Sequence, residues 1–569
     1  MFKKVNENAA NRSSYVGYIH NIGESKIKKD TLNSFKKEWK ELHDEGYIHI
    51  HDLDAHGLTY NCLTLNIINN FPYEEFNNLD EISKIMRVFN FIIDLFTNLG
   101  QEQSGGMAFA NFDNELATIF NTLNISNSEI NKSIIKSCTR ELILWCNNNH
   151  TRMGQTSYYT TFNIGLADNE LARFIAYTLV DEFENTSDLV FKPNIVFKVL
   201  SGVNLNVEDQ NYYILQKCLK CTTKKMIPTY VLCDSTTNKD INPELLSIMG
   251  CRTRVVENIH GNKGAIGRGN IANVSINLPR LALEVESMDL VDDLEKFKLL
   301  KDKWIKVAEN SVEIMLHRFI KLCELDSLMF TTNNTYQLWC TDFKNNSLKD
   351  IFKNGTFSLG FIGLSECIEV LLQKKYYTNE ESLNLTYDFV EYMRDYCDKL
   401  ISKYNLNFSL SASSGELISG RFIEMDKRGF NTKANIFSKG FYTNSFHVDV
   451  DSKMLASEKI KIEGKFHELS NGGCITYIEL KEAPLGNSDA LYEYLKVAID
   501  SGTHYIGVNF PKDVCNECGC TGVFDRCSKC NSNKITRIRR VSGYLELLDG
   551  FTSGKKAEEK YRLSNGGDC

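Results

Sequence analysis

RRVSGYLELLDG, Arg539 to Gly550, is the stretch on which the reading of this chain turns. It sets one glycine, Gly543, between a basic run and a tyrosine, close to the end of the chain and just behind a dense group of cysteines. A turn would use glycine for its permissive backbone. A chemical use is different. Glycine alone carries two hydrogens on Cα and no Cβ, and loss of one hydrogen leaves a planar radical delocalised into both flanking peptide groups.

Upstream, Cys515, Cys518, Cys527 and Cys530 give two CxxC pairs separated by eight residues. That is the spacing of a zinc ribbon, in which two tight turns deliver four thiolates to a tetrahedral ion. Sulfur ligands favour zinc or iron, and four of them leave no open position for a substrate, so a structural metal is expected. Cys520 is a spare thiol beside the set. The composition changes near Pro511, which marks a separate C-terminal module, a zinc-binding part over 511–535 followed by the Gly543 segment over 536–569.

The rest of the chain reads as an ordinary globular protein. It has 569 residues, of which 42% are hydrophobic and 24% charged, and no apolar run reaches the length needed to cross a bilayer. The N-terminus lacks the apolar core of a signal peptide, so a cytoplasmic location is expected. A net charge of -8 argues against a nucleic-acid backbone as the main partner. The 18 cysteines, without an export signal, read as thiols, ligands or catalytic groups, not as a disulfide framework.

Helical periodicity alternates with short β-rich runs. A helix is expected over Ile82–Asn98, stopped at Gly100, and another after a Thr378/Glu381 capping box. Strands are expected at SYYTTFNIG (from Ser157), NIVFKV (Asn194), TYVLC (Thr229), NVSINL (Asn273) and CITYIEL (Cys474). Such interleaving over 45–510 predicts one large α/β unit behind an N-terminal arm, 1–44.

Taken with the cysteine module, RVSGY resembles the radical loop of the glycyl radical enzymes, and specifically that of the anaerobic (class III) ribonucleoside-triphosphate reductases. An ordered series of blocks extends the likeness: EGYIHIHDLD (from Glu45), NCLTLN (Asn61), QEQSGGMAFANFD (Gln101), HTRMGQTSYYTTFNIG (His150), MGCRTRV (Met249), GRGNIANVSINLPRLALE (Gly267), GTFSLGFIGLSE (Gly355) and YTNSFHVDV (Tyr442). The resemblance implies a ten-stranded α/β barrel built from two five-stranded half-barrels, with the zinc ribbon and radical loop at its C-terminal end. It implies that Gly543 stores a radical, that Cys251 becomes the thiyl radical, and that Cys62 donates hydrogen to C2' of a ribonucleoside triphosphate.

Formate as electron donor, with a thioredoxin-like or glutaredoxin-like donor to a cysteine pair left open beside it, dNTP and ATP effectors at a specificity site, a homodimer and a separate radical S-adenosylmethionine activating enzyme follow from the same likeness. Asn270, in GRGN, is the nearest match to an asparagine that holds substrate or formate, with Asn273 and Asn277 close by. About 45 residues precede the first block, too few for the ATP-cone domain of larger relatives, so overall control by dATP through that domain is not expected.

The chemistry supports the same choices. Taking hydrogen from an unactivated sugar carbon needs a strong abstractor, and a thiyl radical qualifies because its S–H bond is close in strength to the C–H bond it breaks. His49 and His51, alternating on a predicted strand, are candidates for substrate or metal binding. Ser413 and Ser414, ahead of a predicted helix, suit either phosphate binding or capping. Two alternatives stay open here: another glycyl radical enzyme, a lyase or dehydratase, and a zinc-ribbon protein whose KITRIRR segment contacts nucleic-acid phosphate.

Overall fold

A computed structural model of the chain describes residues 14–148 and 158–566. The block beginning at His150 therefore lies partly outside the described residues. Strands β1 (Ile48–Ile50), β2 (Cys62–Thr64), β3 (Met107–Phe109), β4 (Thr160–Ile164), β5 (Asn194–Val199) and β6 (Thr229–Leu232) come first. A short hairpin follows, β7 (Ile248–Met249) and β8 (Thr253–Arg254). Then come β9 (Arg268–Asn277), β10 (Thr356–Ile362), β11 (Asn407–Ala412), β12 (Thr476–Glu479) and β13 (Tyr505–Asn509).

Strands β2 to β6 are hydrogen-bonded side by side and all parallel. So are β9–β10–β11, and so are β12–β13. The two sets meet antiparallel, β9 against β2 and β13 against β6. Between β11 and the approach to β12 the backbone closes the ring, with Gly472 donating to the Leu410 carbonyl at 2.8 Å and Ala412 to that of Gly473 at 3.1 Å. The result is a ten-stranded barrel of two five-stranded halves, with β1 added along the far end of β9.

Parallel strands need crossovers, and helices supply them. Glu81–Leu99 links β2 to β3, Glu170–Glu184 links β4 to β5, and Asp293–Cys323 followed by Leu348–Phe352 leads from β9 to β10. These helices cover the outside of the barrel, and strand residues are buried on both faces, so the β-runs read as nearly continuous apolar stretches. The helix over Glu81–Leu99 does end at Gly100, and Asp80 caps its start by accepting from the Ser83 amide at 2.8 Å. The later helix spans Glu380–Tyr404 and is capped by Asn379, not Thr378, because the Asn379 side chain accepts from Ser382 N at 2.8 Å while the Thr378 hydroxyl turns back to the Lys375 carbonyl.

At the C-terminal end, β14 (Lys512–Cys515), β15 (Thr521–Gly522), β16 (Ile535–Arg540) and β17 (Leu545–Leu547) form one four-stranded sheet. The cysteine knuckles and the hairpin carrying Gly543 thus share one scaffold. Among the described residues no helix is long and apolar enough to cross a membrane.

Candidate active site

Two hairpin tips meet inside the barrel. The first is the turn between β7 and β8, Gly250–Cys251–Arg252, where Gly250 has a φ of +57°. Asn163 on β4 holds its stem: it accepts from Ile248 N at 3.0 Å and donates to the Ile248 carbonyl, the Ser247 hydroxyl and the Phe109 carbonyl. Asn194 on β5 donates to the Gly250 carbonyl at 3.2 Å. These polar side chains at the barrel centre satisfy loop backbone groups that would otherwise be buried without partners.

The second tip joins β16 to β17 and places Gly543 directly against Cys251. A Cβ built on Gly543 would lie 2.1 Å from the Cys251 carbonyl oxygen, 2.2 Å from its Cβ and 2.3 Å from its Cα. Gly543 is not among the glycines of positive φ, so close approach, and not backbone conformation, excludes any larger residue. Arg540, buried, donates to the Gly543 carbonyl at 3.4 Å and to the Met226 and Val508 carbonyls, tying the hairpin to β13 and the β6 approach. Tyr544 lies against Tyr159, ring centroids 5.4 Å apart. Arg540 and Tyr544, without an evident role in the sequence, are thereby anchors of the loop.

Beside this contact is a cavity of about 160 Å³ lined by Cys251, Cys62, His51, Asn273, Ser413 and Ser414, among others. Cys62 sits on β2, paired in register with Asn270 of β9. Burial pushes the Cys62 thiol up to about 12, against hydrogen bonds from the Asn270 backbone and Thr253, and burial also raises Cys251. Both sulfurs therefore keep their hydrogens at neutral pH, the state needed for hydrogen-atom transfer.

The structure separates residues that the sequence grouped. His51 lines the cavity and its Nε2 lies 2.8 Å from the Ser275 hydroxyl, but His49 does not: it is buried between the rings of His43 and His51. The two rings meet edge to face with centroids 4.8 Å apart, and only that of His51 reaches the cavity wall. Asn270 does not line the cavity either. Its amide donates to the Thr356 carbonyl at 3.2 Å and to the Ser358 hydroxyl at 2.8 Å, and Asn61 and Asn273 are the asparagines on the cavity wall.

Ser413 bonds the Ser275 hydroxyl at 2.6 Å, and Ser414 lines the cavity beside Cys251. Neither caps the following helix, which begins only at Ile418 and has no side-chain cap. Asn163 and Glu416, the latter on the cavity wall, carried no signal in the sequence, because isolated polar residues in such positions look like surface residues until the chain is folded.

The four cysteines Cys515, Cys518, Cys527 and Cys530 converge, with Cys515–Cys530 sulfurs 3.5 Å and Cys518–Cys527 sulfurs 3.4 Å apart. Backbone N–H groups, foremost that of Cys530, pull Cys527 down to about 6. An all-thiolate tetrahedral site fits this arrangement. The basic run beside it is used internally: Arg537 pairs with Asp525, and the buried Arg539 with Asp513 at 2.8 Å and Glu559 at 2.7 Å. That pairing removes the main basis for a phosphate-contacting tail.

The family model described as anaerobic ribonucleoside-triphosphate reductase matches residues 7–564. The anaerobic ribonucleoside-triphosphate reductase of Escherichia coli K12 is 29% identical over 572 residues, 93% of this chain and 78% of the relative. That of Enterobacteria phage T4 is 26% identical over 617 residues, covering 99% and 97%. Among solved structures, an anaerobic ribonucleotide reductase superposes with a TM-score of 0.74 at 16% identity over 98% of this chain and 90% of its own. The B12-independent glycerol dehydratase of Clostridium butyricum shares the fold at 0.61 and 11% identity over 95% and 83%. Fold alone leaves reductase and dehydratase open, and the family match decides between them.

Proposed function

The chain belongs to the anaerobic ribonucleoside-triphosphate reductase family, and from that premise we propose that it reduces ribonucleoside triphosphates to their 2'-deoxy forms by a radical passed from Gly543 to Cys251. The observation that carries this reading is the packing of Gly543 on Cys251 beside a cavity that also holds Cys62.

The steps follow from the placement of the residues. The Gly543 radical takes the hydrogen of the Cys251 thiol, and the Cys251 thiyl takes the 3' hydrogen of the ribose. The 2' hydroxyl leaves as water and the sugar becomes a 3' ketone. Cys62 gives a hydrogen to C2' and regains one from formate, and the remaining formate electron and a proton reduce the ketone to a C3' radical. Cys251 returns its hydrogen to C3' and then takes one from Gly543, restoring the stored radical. Formate oxidised to carbon dioxide supplies the two electrons, so ribose C–OH and formic acid become C–H, carbon dioxide and water. Among the described cysteines only Cys62 and Cys251 line the cavity, which favours an external small donor over a relay through a further protein thiol.

His51, Asn273, Ser413 and Ser414 are assigned to holding the substrate or formate, in place of His49 and Asn270. Cys515, Cys518, Cys527 and Cys530 hold a structural zinc ion that stiffens the sheet bearing the Gly543 hairpin. A radical S-adenosylmethionine activase, dNTP or ATP effectors, a homodimer and a cytoplasmic setting complete the proposal. The dATP- and CTP-bound reductase of Thermotoga maritima, similar in fold with a TM-score of 0.71, supports the effectors.

The test is anaerobic activation with the cognate activase, followed by electron paramagnetic resonance and a reductase assay with CTP and formate. A glycyl doublet and formate-dependent deoxynucleotide are expected; a wild-type enzyme that shows neither overturns the proposal.

A further inference from the structure

Gly543 is buried, and its two neighbours in the chain are held by a single side chain from a different part of the barrel. Glu416, itself buried, lies just after the end of β11. One of its carboxylate oxygens accepts from the Ser542 hydroxyl at 2.7 Å and the other from the Tyr544 hydroxyl, also at 2.7 Å. The Thr552 hydroxyl, beyond the hairpin, donates to the Glu416 backbone carbonyl at 2.6 Å. A carboxylate shared by the residues on either side of the glycine pins the tip in both directions, since its two oxygens accept along separate axes.

The same short segment reaches the other radical partner. Ser414, two residues earlier, lines the same cavity as Cys251. Gly415 between them is packed so tightly that a Cβ would lie 2.3 Å from the Asn444 Oδ1, an atom that accepts from Lys555 at 3.0 Å. Neither end of the clasp is thus free to drift. The stretch Ser414–Gly415–Glu416 lines the cavity with Cys251 at one end and holds both neighbours of the glycine at the other.

We propose that Glu416 is the positioning residue that latches the Gly543 hairpin onto Cys251, and that its two hydrogen bonds set the balance between a closed hairpin, competent for turnover, and an open one in which a partner protein can reach the Gly543 hydrogens. The inference rests on the reading of Gly543 as the stored radical. Its distinctive consequence is a pair of effects of opposite sign. Weakening the latch makes radical loading easier, because the buried glycine is exposed more often. It makes turnover per radical worse, because the distance from residue 543 to Cys251 is no longer held.

The experiment uses the full chain. Hydrogen–deuterium exchange of the unactivated Glu416→Ala variant should be faster across Val541–Leu547 by on the order of tenfold or more, the loss of a charge-assisted bond at each side of the tip. Under limiting activase, the glycyl doublet should appear faster than in wild type. Turnover per radical should fall while KM for CTP stays within about twofold, since the defect lies in radical transfer and not in binding. Tyr544→Phe, which removes one bond and leaves Glu416 in place, should move each readout in the same direction by a smaller amount. Adding it to Glu416→Ala should change little further.

Unchanged exchange in both variants, or slower loading together with slower turnover, would overturn the latch. These outcomes are separable from failure of the radical reading itself. In that case wild type shows no doublet, whereas the exchange measurement needs no radical and still reports on the clasp.

Discussion

Replacing Gly543 by alanine is the most demanding perturbation of the site, because the structure gives its size. The new methyl carbon would lie 2.2 Å from the Cys251 Cβ, and ordinary contact begins near 3.4 Å, so residue 543 and Cys251 must separate by about 1.2 Å. The obstacle is the backbone of the β7–β8 turn as well as a side chain, with the Cys251 carbonyl oxygen at 2.1 Å, so rotamer changes cannot absorb the clash. Overpacking of this kind costs about 1–3 kcal/mol. A displacement of about 1 Å between reacting groups lowers a proximity-dependent step on the order of 10²-fold. Alanine also offers a different radical, with a methyl group where the stored species has hydrogen.

The assay is anaerobic activation followed by electron paramagnetic resonance, turnover on CTP and urea unfolding. Wild type should give a doublet from the one hydrogen left on Cα, collapsing to a singlet when the protein is grown on α-deuterated glycine. Gly543→Ala should give no such doublet and no deoxynucleotide, with stability reduced by about 1–3 kcal/mol. A wild-type doublet and wild-type turnover in the variant would place the radical elsewhere, and unchanged stability would refute the packing argument.

Cys251→Ala should keep the doublet and lose turnover, and Cys62→Ala should do the same; deoxynucleotide formed by either variant at the wild-type rate removes that cysteine from the pathway. Asn163→Ala leaves the stem of the β7–β8 turn with unpaired backbone groups, so unfolding should cost about 1–3 kcal/mol less, and turnover should fall with the radical yield intact. A Cys530→Ser variant should lose its bound metal by elemental analysis and much of its radical yield, while circular dichroism of the barrel is little changed, since the knuckles and the Gly543 hairpin share one sheet. Burial raises the Cys62 pKa from 9.0 to about 12, so its protonated form stabilises the fold below pH 9 and that stabilisation is lost as pH rises toward 12. Wild type should therefore lose stability more steeply above pH 9 than Cys62→Ala, and parallel pH profiles by anaerobic urea unfolding would count against a buried, protonated thiol.

Much of the fold and part of the site were legible in the sequence. The run at Asn194 became β5 over the residues read as a strand, because a strand buried on both faces by helix crossovers shows as an unbroken β-rich stretch. The four cysteines were legible because a tetrahedral ion constrains local spacing. The cavity wall takes His51 but neither His49 nor Asn270. Alternation brings His49 and His51 together but cannot tell which ring reaches the cavity, and Asn270 was matched by its place in GRGN, whereas its amide is taken up by Thr356 and Ser358.

The sequence by itself determined the chemistry available: a glycine in a radical-type loop, two cysteines in distant blocks, and a four-thiolate module beside the loop. Those features are local, set by residue type and spacing over a few positions. Only the tertiary structure decided that Gly543 meets Cys251, that Cys62 opens on the same cavity, and that Glu416 bridges Ser542 and Tyr544. Residues 62, 251, 416 and 543 come from separate elements of a closed barrel, and their contact depends on strand order, register and the insertion of two hairpins. None of these is written in the local pattern of any one segment.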